Sequence, residues 1–220
     1  MRVWIEAVAG LIFPAARPPR PWSRLERPFC ELCAEPYSRP VAEVFTCANC
    51  GKREWSLSRL RAAYLEKGSI REAILGFKYR RQFHLRPWLG RWLEDGFRQY
   101  YAGERWDALV PVPLHPERRR QRGFNQSAEI AGWLGRRAGI PVVEAIRRVK
   151  ATAPQARLSR AERLRNLRGS LALAGGFDPR GKRLIICDDV FTTGATADAC
   201  ARVLRRAGAE EVVALTVARR

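Results

Sequence analysis

The chain has 220 residues, 46% of them hydrophobic, which excludes a disordered polymer and allows one sizeable core plus a small module. No apolar run approaches the roughly 20 residues that a helix needs to span a bilayer, so the pattern argues against a membrane protein. Lys and Arg total 41 against 22 acidic residues, a net charge of +19, which makes polyanions favourable partners without identifying one.

The positive charge is uneven. Arg118, Arg119, Arg120 and Arg122 form one cluster. Arg147, Arg148 and Lys150 form a second, and Arg157, Arg160, Arg163, Arg165 and Arg168 a third. At the start of the chain, Val3 to Phe13 is apolar apart from Glu6, and Pro14 ends it. Arg2 is its one basic residue, and no clear cleavage site precedes the Arg/Pro-rich stretch Arg17 to Arg27. The segment therefore reads as a short helix packed on the protein rather than a leader, and the expected location is the cytoplasm.

Cys30-x2-Cys33 and Cys47-x2-Cys50 stand thirteen residues apart, with Gly51 directly after the second pair. Two such knuckles place four thiolates at tetrahedral zinc spacing. A pair of disulfides is the alternative, but nothing here points to an oxidising compartment. Four thiolates leave no open position for catalysis, so Zn2+ would be structural and would supply folding energy to a module with almost no core of its own. Arg39, Lys52, Arg53 and Trp55 surround it and would allow contact with nucleic acid. Cys187 and Cys200 read as small buried residues.

Beyond the module, Ser58 to Leu65 reads as a strand and Gly68 as a turn. Ser69-x-x-Glu72 has the form of a capping box, with Ile74, Leu75 and Phe77 on one face of the helix that follows. Lys78 sits where that helix ends, a position that also suits a solvated cation. Pro87 to Phe97 reads as a second helix with Trp88, Leu89, Trp92 and Leu93 as its apolar face. Asp107 to Pro113 is a short strand, kept out of the sheet centre by two prolines that lack a donor. The run Leu114 to Gln126 reads as an Arg-rich loop suited to pyrophosphate, since Arg118 and Arg122 each offer a planar fork of donors. His115 suits either a phosphate or the end of the strand. Asn125 and Gln126 tie the loop to a helix carrying Ile130, Trp133 and Leu134. Ser170 to Ala174 reads as a strand, Gly175-Gly176 as a turn, and Val212 to Ala218 as a last buried strand.

The most informative segment is Leu184 to Thr196. Its apolar start reads as a buried parallel strand, followed by Asp188 and Asp189, a small hydroxyl-rich loop and a helix with Ala199, Val203 and Leu204. Ligands of open α/β sheets bind at the carboxyl ends of strands. Loop amides, a helix N-terminus and the hydroxyls of Thr192, Thr193 and Thr196 suit a phosphate, and Gly194 allows close backbone approach. Adjacent carboxylates suit a vicinal diol. A phosphorylated ribose meets both demands.

This segment closely resembles the 5-phosphoribosyl-1-pyrophosphate (PRPP) signature of type I phosphoribosyltransferases. The resemblance assigns Asp188 and Asp189 to the ribose hydroxyls and Thr192, Thr193, Gly194, Ala195 and Thr196 to the 5'-phosphate. Phe77-Lys78-Tyr79, Val110-Pro111-Val112-Pro113-Leu114-His115, Arg118 and Arg122-Gly123-Phe124-Asn125-Gln126 stand in this order before it. With the four cysteines, they resemble the ComF/GntX-type family, which is associated with DNA uptake during natural competence. The resemblance implies a type I phosphoribosyltransferase-like α/β fold, a parallel sheet flanked by helices, with a small N-terminal zinc-binding module. The expected organisation is a helix and linker over 1–28, the module over 29–55 and the phosphoribosyltransferase-like domain over 56–220.

It further implies PRPP as ligand, with Mg2+ accompanying it, and displacement of pyrophosphate by an acceptor that no residue pattern identifies. Lys78, His115, Arg118, Arg122 and Lys150 are the candidate pyrophosphate and phosphate contacts. Asp188, Asp189, Lys78 and Arg122 are the candidate catalytic set. Thr152, Gln155, Leu158, Arg163 and Asn166 match the family pattern of a loop that closes over the reacting pair. Nothing resembles the nucleophilic cysteine or glutaminase domain of true amidophosphoribosyltransferases, so transfer from glutamine is not expected. The other readings are a single-stranded-DNA-handling protein that serves a helicase-like uptake partner, and a PRPP sensor without turnover.

Overall fold

The computed structural model describes residues 23–37, 45–52, 54–149 and 169–220. The apolar segment 3–13, most of the Arg/Pro-rich stretch, Arg39, Arg53, Lys150, the proposed closing loop and the third arginine cluster lie outside the described residues.

In chain order the elements are α1 (Ala48–Gly51), β1 (Leu60–Leu65), α2 (Gly68–Tyr79), α3 (Arg86–Tyr100), β2 (Ala108–Pro111), α4 (Pro116–Arg122), α5 (Gln126–Ala138), β3 (Ile146–Arg148), β4 (Leu171–Leu173), β5 (Arg183–Phe191), α6 (Ala195–Arg206) and β6 (Glu211–Arg219). Strands β1, β6, β5 and β2 lie side by side in that order, all parallel. β3 and β4 form a small antiparallel pair. Parallel strands need covered faces, and period-two alternation supplies two apolar faces here. Leu184 and Ile186 of β5 enter one core with the cysteine module and α6. Ile185 and Cys187 enter the other with α2, α3 and α5.

β2 lies at the sheet edge, as its prolines require, with Pro111 opposite Cys187. Two local expectations fail. Ser69 and Glu72 form no capping box: the helix already starts at Gly68, so Ser69 falls inside the first turn. Its hydroxyl oxygen is buried without a hydrogen-bond partner among the described residues. The Arg-rich run is also not all loop. It contains α4, started by Pro116 and stopped by Gly123 at φ 85°. No residue of α4 is buried, so the helix has no apolar stripe to reveal it.

The cysteine module is docked on the sheet. The Leu60 N–H donates to the Leu32 carbonyl at 2.8 Å, and Arg61 donates to the Glu31 carbonyl and carboxylate, each at 2.6 Å. The module has little core of its own because it shares one: Phe29 and all four module cysteines pack with Leu25, Leu57, Leu60 and Ala62.

Candidate active site and cysteine centre

β5 does not stop at the apolar run. It continues through both carboxylates to Phe191, so Asp188 and Asp189 stand within the strand rather than beyond it. The pairing explains why. β2 runs out opposite Cys187, and β5 continues against β6 alone, with Asp188 opposite Thr216 and Val190 opposite Ala218. Ladder hydrogen bonds use backbone groups, so hydropathy ends the strand too early.

A cleft of about 250 Å3 opens where β2 leaves β5. Asp188, Asp189 and the whole of Thr192 to Thr196 line it, with Lys78, Arg118 and Arg148 on its walls. Lys78 is not a solvated helix end. α2 points it inward, its side chain is 18% exposed, and it forms an ion pair with Asp189. Ser127, at the start of α5, donates through Oγ to Asp188 Oδ1 at 2.7 Å, and the Asp189 N–H donates to the same oxygen at 2.9 Å. Asn125 caps α5, accepting from the Ser127 N–H at 3.1 Å and donating to the Val112 carbonyl at 3.1 Å. It thereby ties α5 to the end of β2, as the tie between the Arg-rich run and the helix required.

The electrostatics follow from this packing. Burial, and then the neighbouring Asp189 carboxylate, push Asp188 up to about 7 against the opposing pull of Lys78 and Ser127. Burial alone would lower the Lys78 ammonium, but Asp189 and Asp188 outweigh it and hold Lys78 charged above the ordinary lysine range. Burial also lowers Arg148, whose Nε donates to the Pro113 carbonyl at 3.0 Å.

At the far end of the cleft, Gly194 caps α6 at φ 74°. A Cβ there would lie 2.3 Å from Phe191 Cζ and 2.7 Å from Trp55 Cη2, so glycine is required on both conformational and steric grounds. The loop thus delivers its amides to the N-terminal end of a twelve-residue helix, where an anion is favoured.

The arginines of α4 divide. Arg118 lines the cleft. Arg122, one turn further on, lies 5.1 Å over the Tyr79 ring and donates to Gln126 Oε1, so it backs two lining residues without lining the cleft itself. Arg119 turns to Glu144 at 3.3 Å, and Arg120 is exposed. His115 does not line the cleft. Its Nδ1 caps α4, accepting from the Glu117 N–H at 3.3 Å. Ser127, Thr216 and the Glu66–Arg220 pair join the site without having been expected, because only tertiary pairing brings them to β5.

The ligand sulfurs of Cys30, Cys33, Cys47 and Cys50 all lie within 4.8 Å of one another. Cys33 Sγ and Cys47 Sγ are 3.8 Å apart, which equals the edge of a tetrahedron with Zn–S bonds of about 2.3 Å. The spacing is far too long for a disulfide, and all four are free thiols. Burial pushes Cys33 up to about 12. Burial also raises Cys30, but amide donors from Cys47, Cys33 and Leu32 more than offset it and bring that thiol down to about 7. The donor set fits a tetrahedral, thiophilic metal ion.

The family model for the phosphoribosyl transferase domain matches residues 126–220, which include the carboxylates, the threonine loop and α6. Competence protein F of Haemophilus influenzae is 32% identical over 199 residues, covering 87% of this chain and 85% of that protein. Competence protein ComFC of Bacillus subtilis is 27% identical over 185 residues, covering 81% and 72%. DNA utilization protein YhgH of Escherichia coli K12 is 39% identical over 110 residues, covering 48% of this chain and 46% of that protein. With a parallel sheet, a match to the phosphoribosyl transferase domain and a four-cysteine module, this chain belongs to the competence protein F (ComF) family.

Proposed function

We propose that the protein binds PRPP and displaces its pyrophosphate with a nitrogen nucleophile. The observation that carries this reading is the cleft itself. Two carboxylates, one buried cation and a phosphate-type loop at a helix N-terminus face one space of about 250 Å3. In the proposed complex, Asp188 and Asp189 accept from the ribose hydroxyls, and Thr192 to Thr196 hold the 5'-phosphate. Lys78, Arg118 and Arg148 face the pyrophosphate, with Arg122 behind Tyr79. The C1–O bond breaks with its electron pair leaving on pyrophosphate, a C1–N bond forms, and the nitrogen releases its N–H proton to water. The carboxylates place negative charge beside the cationic character that develops at C1, and the basic groups stabilise the departing anion. Mg2+ would enter with PRPP, carried mainly by the ligand's own oxygens, and neutralise pyrophosphate charge. Zn2+ at Cys30, Cys33, Cys47 and Cys50 is structural in this account.

Asp188→Asn tests the assignment because it leaves the Lys78–Asp189 ion pair intact. Equilibrium dialysis with labelled PRPP and Mg2+ should show at least a tenfold loss of affinity with little change in unfolding midpoint. Unaltered affinity would remove Asp188 from the ribose site.

A second reading is supported by the net charge of +19 and by the names of the relatives, which refer to competence and DNA utilization. In it, exposed arginines such as Arg120 and Arg136 contact single-stranded DNA, and a helicase-like uptake protein is the partner. DNA affinity that falls steeply with salt and is unchanged by PRPP would place the two ligands on separate surfaces. No helix among the described residues is long and apolar enough to cross a membrane.

A further inference from the structure

The phosphate loop is held from outside its own domain. Phe191 precedes it and Gly194 lies within it, and both are clamped by residues that lead back to the cysteine centre. On one side, Trp55, which follows the second cysteine pair, stacks on Phe191 at 6.5 Å with 24° between the rings, and the two rings close around Gly194. The next residue continues the contact: the Ser56 N–H donates to Asp198 Oδ1 at 2.7 Å. Asp198 is fully buried in the first turn of α6, so this bond fixes the helix end that the loop feeds.

On the other side, Arg219 donates through Nε to the Cys33 carbonyl at 3.2 Å and through Nη1 to the Phe191 carbonyl at 3.5 Å. It also forms an ion pair with Glu35 and lies 5.2 Å over the Phe191 ring. One guanidinium, 5% exposed as a residue, therefore bridges the first cysteine knuckle and the residue that opens the phosphate loop. Between the two struts lies a cavity of about 300 Å3 with Cys33, Cys47 and Asn49 on one wall and Thr192 and Thr193 on the other. Module and loop line one cavity.

Resting on the PRPP reading of the cleft, we propose that Trp55 and Arg219 are positioning residues that couple metal binding at the four cysteines to the geometry of the Thr192–Thr196 phosphate loop. The module then does more than fold. With metal bound, it holds Gly194 and the start of α6 in the arrangement that receives phosphate. Without metal, Trp55 and the Cys33 carbonyl lose their fixed positions and the loop loses its back wall. Such coupling is reciprocal by thermodynamic necessity: a ligand in the loop must tighten metal binding by the factor by which metal tightens the ligand.

Competition of the zinc-loaded protein against a zinc-selective chelator, with and without PRPP and Mg2+, tests this. PRPP should tighten zinc retention by about tenfold in the wild type. The effect should be much smaller in Trp55→Ala, where the Arg219 strut alone remains, and Trp55→Phe should restore most of it. Trp55→Ala touches neither the cysteines nor the carboxylates, so its zinc content should stay at one ion per chain. Zinc retention that is independent of PRPP in a wild type that binds PRPP would overturn the proposal, as would full coupling in Trp55→Ala.

Should PRPP bind to neither protein, the substrate reading fails, and hydrogen exchange decides the coupling without ligand. Faster exchange at residues 192–198 on zinc removal, with β5 and β6 still protected, would uphold it. Unchanged exchange there, or loss of protection throughout the sheet, would overturn it.

Discussion

Asp188 is the residue on which the pH behaviour of the site turns. Burial and the adjacent Asp189 carboxylate raise it to about 7, so near neutrality it exchanges a proton with solvent. Only the carboxylate accepts both hydroxyls of a diol well. PRPP affinity should therefore rise from pH 6 to pH 8 and level off above, and Asp188→Asn should remove the part of this slope that belongs to the protein. For stability the sign is reversed. The folded value lies above the unfolded value of about 3.9, so the contribution is fully present below that pH and is lost as pH rises through 7. Lys78 makes the complementary case. Lys78→Met leaves two close carboxylates without their buried cation, which should cost about 3–5 kcal/mol in urea unfolding and raise Asp188 further. Gly194→Ala forces a side chain into φ 74° against Phe191 and Trp55, and should cost at least about 1–3 kcal/mol of strain, measured the same way. Asp188, Asp189 and the threonine loop were legible because adjacent carboxylates before a hydroxyl-rich turn have few purely structural explanations. Ser127 was not legible. It lies 61 positions from Asp188, and a serine at a helix start has an ordinary capping role in sequence.

At the scale of elements, legibility followed apolar periodicity. The helices carrying Leu89, Trp92 and Leu93, and Ile130 and Leu134, emerged because those residues form buried stripes. α4 did not, because it buries nothing, although His115-Pro116 and Gly123 mark both of its ends. β5 emerged only as far as its apolar residues run, and its C-terminal end is defined by pairing with β6. The Ser69 motif shows the converse: a correct local signature overridden when the chain enters the helix at Gly68. The cysteine knuckles were legible because metal spacing is a local property, but their docking on the sheet was not. Replacing Cys30 and Cys33 together by Ser should lower metal content from one zinc per chain to none and reduce the unfolding midpoint, since both thiols also pack in the core with Leu25 and Phe29. Retention of one zinc would show that the ligand set is wrong.

For the whole molecule, the count of 41 Lys and Arg residues overstates the free positive surface. Arg59, Arg61, Arg183, Arg219 and Arg220 are engaged with Glu104, Glu31, Glu211, Glu35 and Glu66. Several of these pairs join the module, the sheet edge and the C-terminal strand, so much of the arginine content is architectural. Among the described residues, Lys78, Arg118 and Arg148 line the cleft, where a ligand with a phosphate at one end and a pyrophosphate at the other would find basic partners. In the proposed complex, one cleft engages both ends of such a ligand. Calorimetric titration of the zinc-loaded protein with PRPP, ribose 5-phosphate and pyrophosphate, each with Mg2+, tests it most directly. PRPP should bind saturably and one-to-one, at least tenfold tighter than either fragment. PRPP binding no tighter than pyrophosphate, or not at all, would contradict it.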